Sequence, residues 1–253
     1  MGWAASARRR AAGDERFPLV FAAQVNAARM LLGDHGPTPD GLFAVAANVH
    51  DFATAMASAA AAKTDPKPAC AAGCSWCCCR PLSVLPLEAF HVAAAVMALP
   101  DETRARVLGR VGVAAKRHTD LGERELHSLR EPCPLLEYGR CAIYTARPAE
   151  CVARNAADPE PCRLDVEEGR PAGQDDNRTI AMIPRRLVET AQDVVCASVK
   201  EAGGDGPAPD GAGGLRFLPA LGLVLNGGVR ESAARWLAGE PLFAGVPGEA
   251  RQA

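Results

Sequence analysis

Nine of the ten cysteines in this 253-residue chain fall between Cys70 and Cys162. Sulfurs gathered into two short blocks are spaced to converge on a common centre, whereas the disulfides of secreted domains are spread as staples. The first block reads Cys70-Ala71-Ala72-Gly73-Cys74-Ser75-Trp76-Cys77-Cys78-Cys79 and contains both a C-x3-C and a C-x2-C step. The C-x2-C step lets two thiolates meet one metal while backbone amides turn toward the sulfurs. Adjacent Cys77 and Cys78 are expected to point apart, one toward a local ion and the other toward a second site or the distant cysteines. The second block carries Cys133, Cys141, Cys151 and Cys162 among Pro132, Pro134, Pro148, Pro159 and Pro161. Helical periodicity is lost from Glu131 to Arg170, so this segment is expected to have no core of its own and to be held by metal bonds, which contribute folding free energy outright.

The redox compartment decides between metal and disulfide. Arg8, Arg9 and Arg10 look like the start of a signal peptide, but Gly13-Asp14-Glu15-Arg16 interrupts the apolar run that should follow. No stretch approaches the 18 to 20 apolar residues of a membrane span, so the expectation is a cytoplasmic chain with no membrane partner. In that reducing compartment, and with Cys77, Cys78 and Cys79 consecutive, disulfides are the weaker reading. The net charge is -2 with both signs interspersed, which leaves no electrostatic footprint for nucleic acid.

Around the cysteines the pattern is helical. Hydrophobic residues make up 48% of the chain and aromatics only 5%, with alanine at many apolar positions, so a mainly α fold is expected. The spacing predicts a helix from Asp14 to Leu32 stopped by Gly33, and a second to about Ala62 with a stripe of Leu42, Val45, Val49, Phe52 and Met56. Further helices are expected from Pro86 to Pro100, from Asp101 through Val107, Val111 and Ala114, from about Arg185 to Lys200, through Leu218 to Leu225, and from Ala233 to Leu237. The organisation is a single domain over 1–253: N-terminal helices at 14–66, a cysteine-cluster core at 70–163 forming an irregular metal-binding layer, and C-terminal helices at 174–246 with a flexible loop at 203–214. Cys196 sits between Val194, Val195 and Val199 and is expected to be a core residue. The five histidines, His35, His50, His91, His118 and His127, lie outside the cysteine motifs.

The C-x3-C-x2-C-C block, then Cys133-Pro134-Leu135-Leu136, then Gly139-Arg140-Cys141-Ala142-Ile143-Tyr144 and Arg147-Pro148-Ala149-Glu150-Cys151, resembles the YkgJ-type cysteine-cluster proteins, described as zinc- or iron-chelating domains. The resemblance implies chelation by Cys70, Cys74, Cys77, Cys78, Cys133, Cys141 and Cys151, with Cys162 as the eighth ligand of longer members. Two departures stand out: Cys79 occupies a position where longer members often carry His, and Val152 one where Arg commonly follows the last motif cysteine. Zinc is the expected ion and iron or an iron-sulfur cluster the alternative, because thiolates suit both. Arg80, Arg140, Arg147, Arg154 and Arg163 lie close in sequence to the motif cysteines and are candidates to offset thiolate charge.

No catalytic base or nucleophile stands out. Cys70, Cys74 and Cys77 also match the spacing that holds the cluster of radical S-adenosylmethionine enzymes, but the strands of the barrel those enzymes resemble are missing from the pattern. A flagellin lysine methylase group has a similar cysteine block, so a cluster-dependent modifying enzyme is the alternative function.

Overall fold

The computed structural model describes residues 18–71, 73–169, 178–204 and 214–246. It is mainly helical. The α-helices are α1 (Pro18–His35), α2 (Pro39–Ala61), α3 (Pro86–Met97), α4 (Asp101–Asp120), α5 (Glu123–Ser128), α6 (Ala149–Ala153), α7 (Glu160–Glu168), α8 (Arg178–Glu201), α9 (Phe217–Asn226) and α10 (Val229–Leu237). Two short antiparallel ribbons accompany them: β1 (Ser83–Val84) with β4 (Leu215–Arg216), and β2 (Leu136–Glu137) with β3 (Arg140–Cys141). No helix among the described residues is long and apolar enough to cross a membrane.

Helix α1 does not stop at Gly33. It runs on to His35, and Gly36, at φ 71°, ends it with an amide that donates to the Leu32 carbonyl at 2.8 Å. The left-handed conformation at Gly36 is what a glycine supplies without steric cost. Gly36→Ala is therefore expected to destabilise by about 1 kcal/mol. Gly33→Ala, where an added Cβ meets open space inside the helix, should stabilise by up to about 1 kcal/mol. Urea melts of the two variants check this, and the same sign for both would refute it. The expected cap Asp14 lies outside the described residues.

Helix α2 starts as its sequence demands, with the Thr38 side chain accepting from the Gly41 amide at 3.4 Å. Its buried face is Leu42, Val45, Ala46, Val49, His50, Ala53 and Ala57, while Phe52 and Met56 are only half-buried. A 3.6-residue repeat carries the buried stripe onto the small residues Ala53, which joins the main core, and Ala57, which packs against Val152 of α6, while α8 is the main packing partner of α2. Helix α8 begins at Arg178, ahead of the expected Arg185, and passes through Pro184. Leu187, Val188, Ala191, Val194, Val195 and Cys196 are all buried along it, and that packing sustains the helix past its proline. Cys196 is the core residue its apolar neighbours imply. The loop expected at 203–214 falls largely outside the described residues.

The tail closes the core from the other side. Helix α9 ends at Asn226 before Gly227 and Gly228, as expected, and α10 begins at Val229, four residues earlier than its apolar pattern indicates. Trp236 from α10 and the downstream Phe243 pack on Phe90 of α3, with ring centroids 5.6 and 5.8 Å away. The proline-rich region from Glu131 to Arg170 departs most from expectation. Leu135, Ile143 and Ala149 join the main hydrophobic core, and the helices α6 and α7 form within it. Prolines at the first turn of a helix interrupt apolar periodicity without preventing the helix, which is why local pattern misses both.

Candidate metal centre

Helix α2 ends at Ala61, and irregular backbone carries the chain past Cys70 and Cys74 to a 3-10 turn at Trp76–Cys79. The second block enters through Cys133, continues over the β2–β3 hairpin with Cys141 in β3, and reaches Cys151 in α6. These two stretches enclose a cavity of about 130 Å³. Cys70, Cys74, Cys77, Cys78 and Cys79 line it from the first block, and Cys133, Cys141 and Cys151 from the second. All are free thiols, and each is partly buried. Seven of the eight sequence-selected cysteines thus meet around one void together with Cys79, while Cys162, in α7, is not among its lining residues.

Backbone bonds stitch the two blocks together. The Cys133 amide donates to the Cys78 carbonyl at 2.9 Å, and the Ala69 amide to the Ala156 carbonyl at 2.8 Å. The Ala156 amide also donates to Cys70 Sγ at 3.2 Å. Side chains complete the joint. Arg154, one turn after Cys151, donates to the carbonyls of Cys77 at 3.0 Å and Pro81 at 3.2 Å, and pairs with Glu150. Glu150 in turn accepts from the Ser83 amide at 3.1 Å. Glu88, fully buried in α3, accepts from the Leu85 amide and from the Ala149 amide, both at 2.8 Å, and so holds the first turn of the helix that carries Cys151. The hairpin that carries Cys141 is anchored by Glu137, which accepts from Arg106 at 2.9 Å and from Arg110 of α4.

Cys77 and Cys78 do not diverge as expected. Both line the cavity, because the tight 3-10 turn keeps all three consecutive cysteines on its wall. The adjacent Cys78 thiol, helped by the nearby guanidinium groups of Arg154 and Arg147, pulls the Cys77 thiol below its ordinary range. Cys77 in turn, together with burial, pushes Cys78 up. Burial pushes Cys133 up to about 12, Cys151 well above its usual value, and Cys70, Cys79 and Cys141 upward. Desolvation disfavours the thiolate where no cation or donor compensates it.

Of the five arginines singled out by sequence, Arg80, Arg147 and Arg154 line the cavity. Arg147 also lies over the Tyr144 ring, 4.1 Å from its centroid. Arg140 is exposed on the hairpin, and Arg163 pairs with Glu160 and Glu167 of its own helix. Sequence reasoning missed the carboxylates Glu88, Glu150 and Asp165, and His118 on the cavity wall. His118 was findable, since it continues the inward face of Val107 and Val111 along α4. Asp165 was not: it is 1% exposed and receives Arg80 at 3.3 Å and Arg130 at 2.9 Å, contacts that no local pattern announces. His91 stacks on His50, with ring centroids 4.2 Å apart.

Eight thiols around one void are the donor chemistry of borderline and soft ions, so the residues present fit zinc or an iron-sulfur cluster by type. Among the described residues, no group of three or more His, Cys, Asp or Glu side chains is placed so that it could hold a metal ion. The loop bearing Cys70 and Cys74 has no helix or strand of its own, and Ala156 anchors it at Cys70. Comparison with family models, with characterised proteins and with solved structures found no match to this chain.

Proposed function

We propose that the chain is a metal-binding protein that holds zinc, or alternatively iron or an iron-sulfur cluster, among the thiols of this cavity. One observation carries the reading: free cysteines from two blocks more than fifty residues apart line a single void, beside guanidinium groups suited to thiolate charge. A bound ion would supply charge to hold the thiolate forms and would cross-link the two blocks. Arg154 and Glu88 fix the second block, and Arg147 faces the sulfurs as a compensating cation. Burial keeps most of these thiols protonated at neutral pH, so each one that joins an ion must release a proton. Apparent affinity should therefore rise about tenfold per pH unit for each proton displaced. Calorimetry in buffers of different ionisation enthalpy counts those protons, and a pH-independent affinity between pH 6 and 8 would contradict the reading.

The direct test is anaerobic purification with metal and acid-labile sulfide analysis. A colourless protein with stoichiometric zinc supports the zinc form. A brown protein with iron and sulfide replaces it with the cluster form. Folded protein that takes up neither rejects metal binding. The size of the void favours one second reading, a cluster-dependent modifying enzyme, because about 130 Å³ is roughly ten times what one ordered water needs. Binding of S-adenosylmethionine to the reconstituted protein would support that enzyme, and no binding would remove it.

A further inference from the structure

We propose that Cys79, and not Cys162, supplies the eighth sulfur of the metal set, an inference that rests on the metal-binding reading above. Cys79 closes the 3-10 turn and lines the cavity, with its sulfur 3.8 Å from the Ser75 carbonyl of the same turn. It lies within electrostatic reach of Cys77 in its own block and of Cys133 in the other. The bond from the Cys133 amide to the Cys78 carbonyl fixes this end of the turn against the second block. Cys79 therefore stands on the wall of the cavity that an ion would occupy.

Cys162, in α7, is not among the residues that line the cavity. It lies one turn before Asp165 on α7, and residues three apart share a helix face. That face is committed to an ion-pair clasp: the buried Asp165 carboxylate receives Arg80, the residue after Cys79, and Arg130. Arg130 is itself fixed by donating to the carbonyls of His127 and Leu129, at 2.7 and 2.9 Å. Helix α7 packs alongside the 3-10 turn, with Gly169 at φ 67° ending it. Any shift of α7 that carried Cys162 onto the cavity wall would disturb the pairing of the buried Asp165 carboxylate with both guanidinium groups. Joining the set costs Cys79 only its proton, which passes to solvent as the metal-sulfur bond forms with no change in oxidation state.

The test uses the full chain and zinc ion alone as the probe. Native protein with and without zinc is alkylated with a light reagent, then denatured and alkylated with a heavy one, and each cysteine is quantified by mass spectrometry. Zinc is expected to lower light labelling of Cys79 as strongly as that of Cys77 and Cys133, and to leave Cys162 unchanged. In titrations, Cys79→Ser should lose zinc or bind it at least tenfold more weakly, whereas Cys162→Ser should match the wild type. Cys79 still labelled while Cys77 and Cys133 are protected, or zinc loss confined to Cys162→Ser, overturns the assignment and leaves metal binding intact. No zinc uptake and no protection anywhere overturns both. Because the labelling is read on the wild type, it decides the matter even if Cys79→Ser fails to fold.

Discussion

Replacing Arg154 by alanine is expected to destabilise the protein by about 2–4 kcal/mol, since it removes one partner of a half-buried ion pair and two hydrogen bonds to carbonyls at once. The Arg154 and Glu150 side chains are 24% and 30% exposed, so solvent softens the loss relative to a sealed pair. For a chain of this size the melting temperature should fall by roughly 5–15 °C. A second effect follows from the first. Arg154 is one of the cations that hold the Cys77 thiol below its ordinary range, so its removal should raise that value and slow alkylation of Cys77 near neutral pH. Arg154→Lys keeps a charge but cannot span Glu150, Cys77 and Pro81 together, and should recover only part of both effects. An alanine variant with wild-type melting and an unchanged pH profile of Cys77 alkylation would show that the clamp joining the two blocks contributes nothing.

Acid should unfold the protein through the stacked imidazoles of His50 and His91. Burial holds their pKa values at about 3 and about 4, against an ordinary 6.5, and His50 Nε2 is buried with no hydrogen-bond partner. Below pH 6.5 the unfolded chain takes up protons that the folded chain refuses, so the stability these rings contribute is present above 6.5 and lost as pH falls toward 3. Glu88 works in the opposite sense. Burial raises its carboxyl to about 7 against the amides of Leu85 and Ala149 that favour the ionised form, so its contribution is present below 4.5 and lost as pH rises through 7. Setting two histidines against one carboxyl gives a net loss on the order of 3 kcal/mol between pH 7 and pH 4. It also places maximal stability of the metal-free protein near neutrality. Thermal melts from pH 4 to 9 measure this directly. His50→Phe, which keeps an aromatic ring on His91 but cannot titrate, should flatten the acid limb, and an equally steep limb in that variant would exclude the pair as its cause.

Both experiments address features that local pattern does not contain. Helices α2, α3 and α4 could be read from their own residues, because apolar spacing, Pro86 at a first turn and the charged ends of α4 act over a few positions. The cysteine motifs were equally visible, since ligand spacing is a short-range property. The pairing of Ser83 with Arg216, the meeting of His50 and His91 from different helices, and the bond from Glu88 to the Ala149 amide join residues far apart in the chain. Nothing in either partner's neighbourhood announces the other. The early stop expected at Gly33 failed for a related reason: helix packing tolerates an interior glycine, and the turn needed its left-handed residue three positions later.

By itself, then, the amino-acid order determined that this chain would be helical and would carry two clusters of sulfur, because helix periodicity and motif spacing are encoded within a turn or two. Which sulfurs share a wall was decided by the tertiary structure alone. Carboxylates and guanidinium groups from separate helices had to find partners on burial, as Asp165 does with Arg80 and Arg130, and the fold that results has Cys79 on the cavity wall and Cys162 off it.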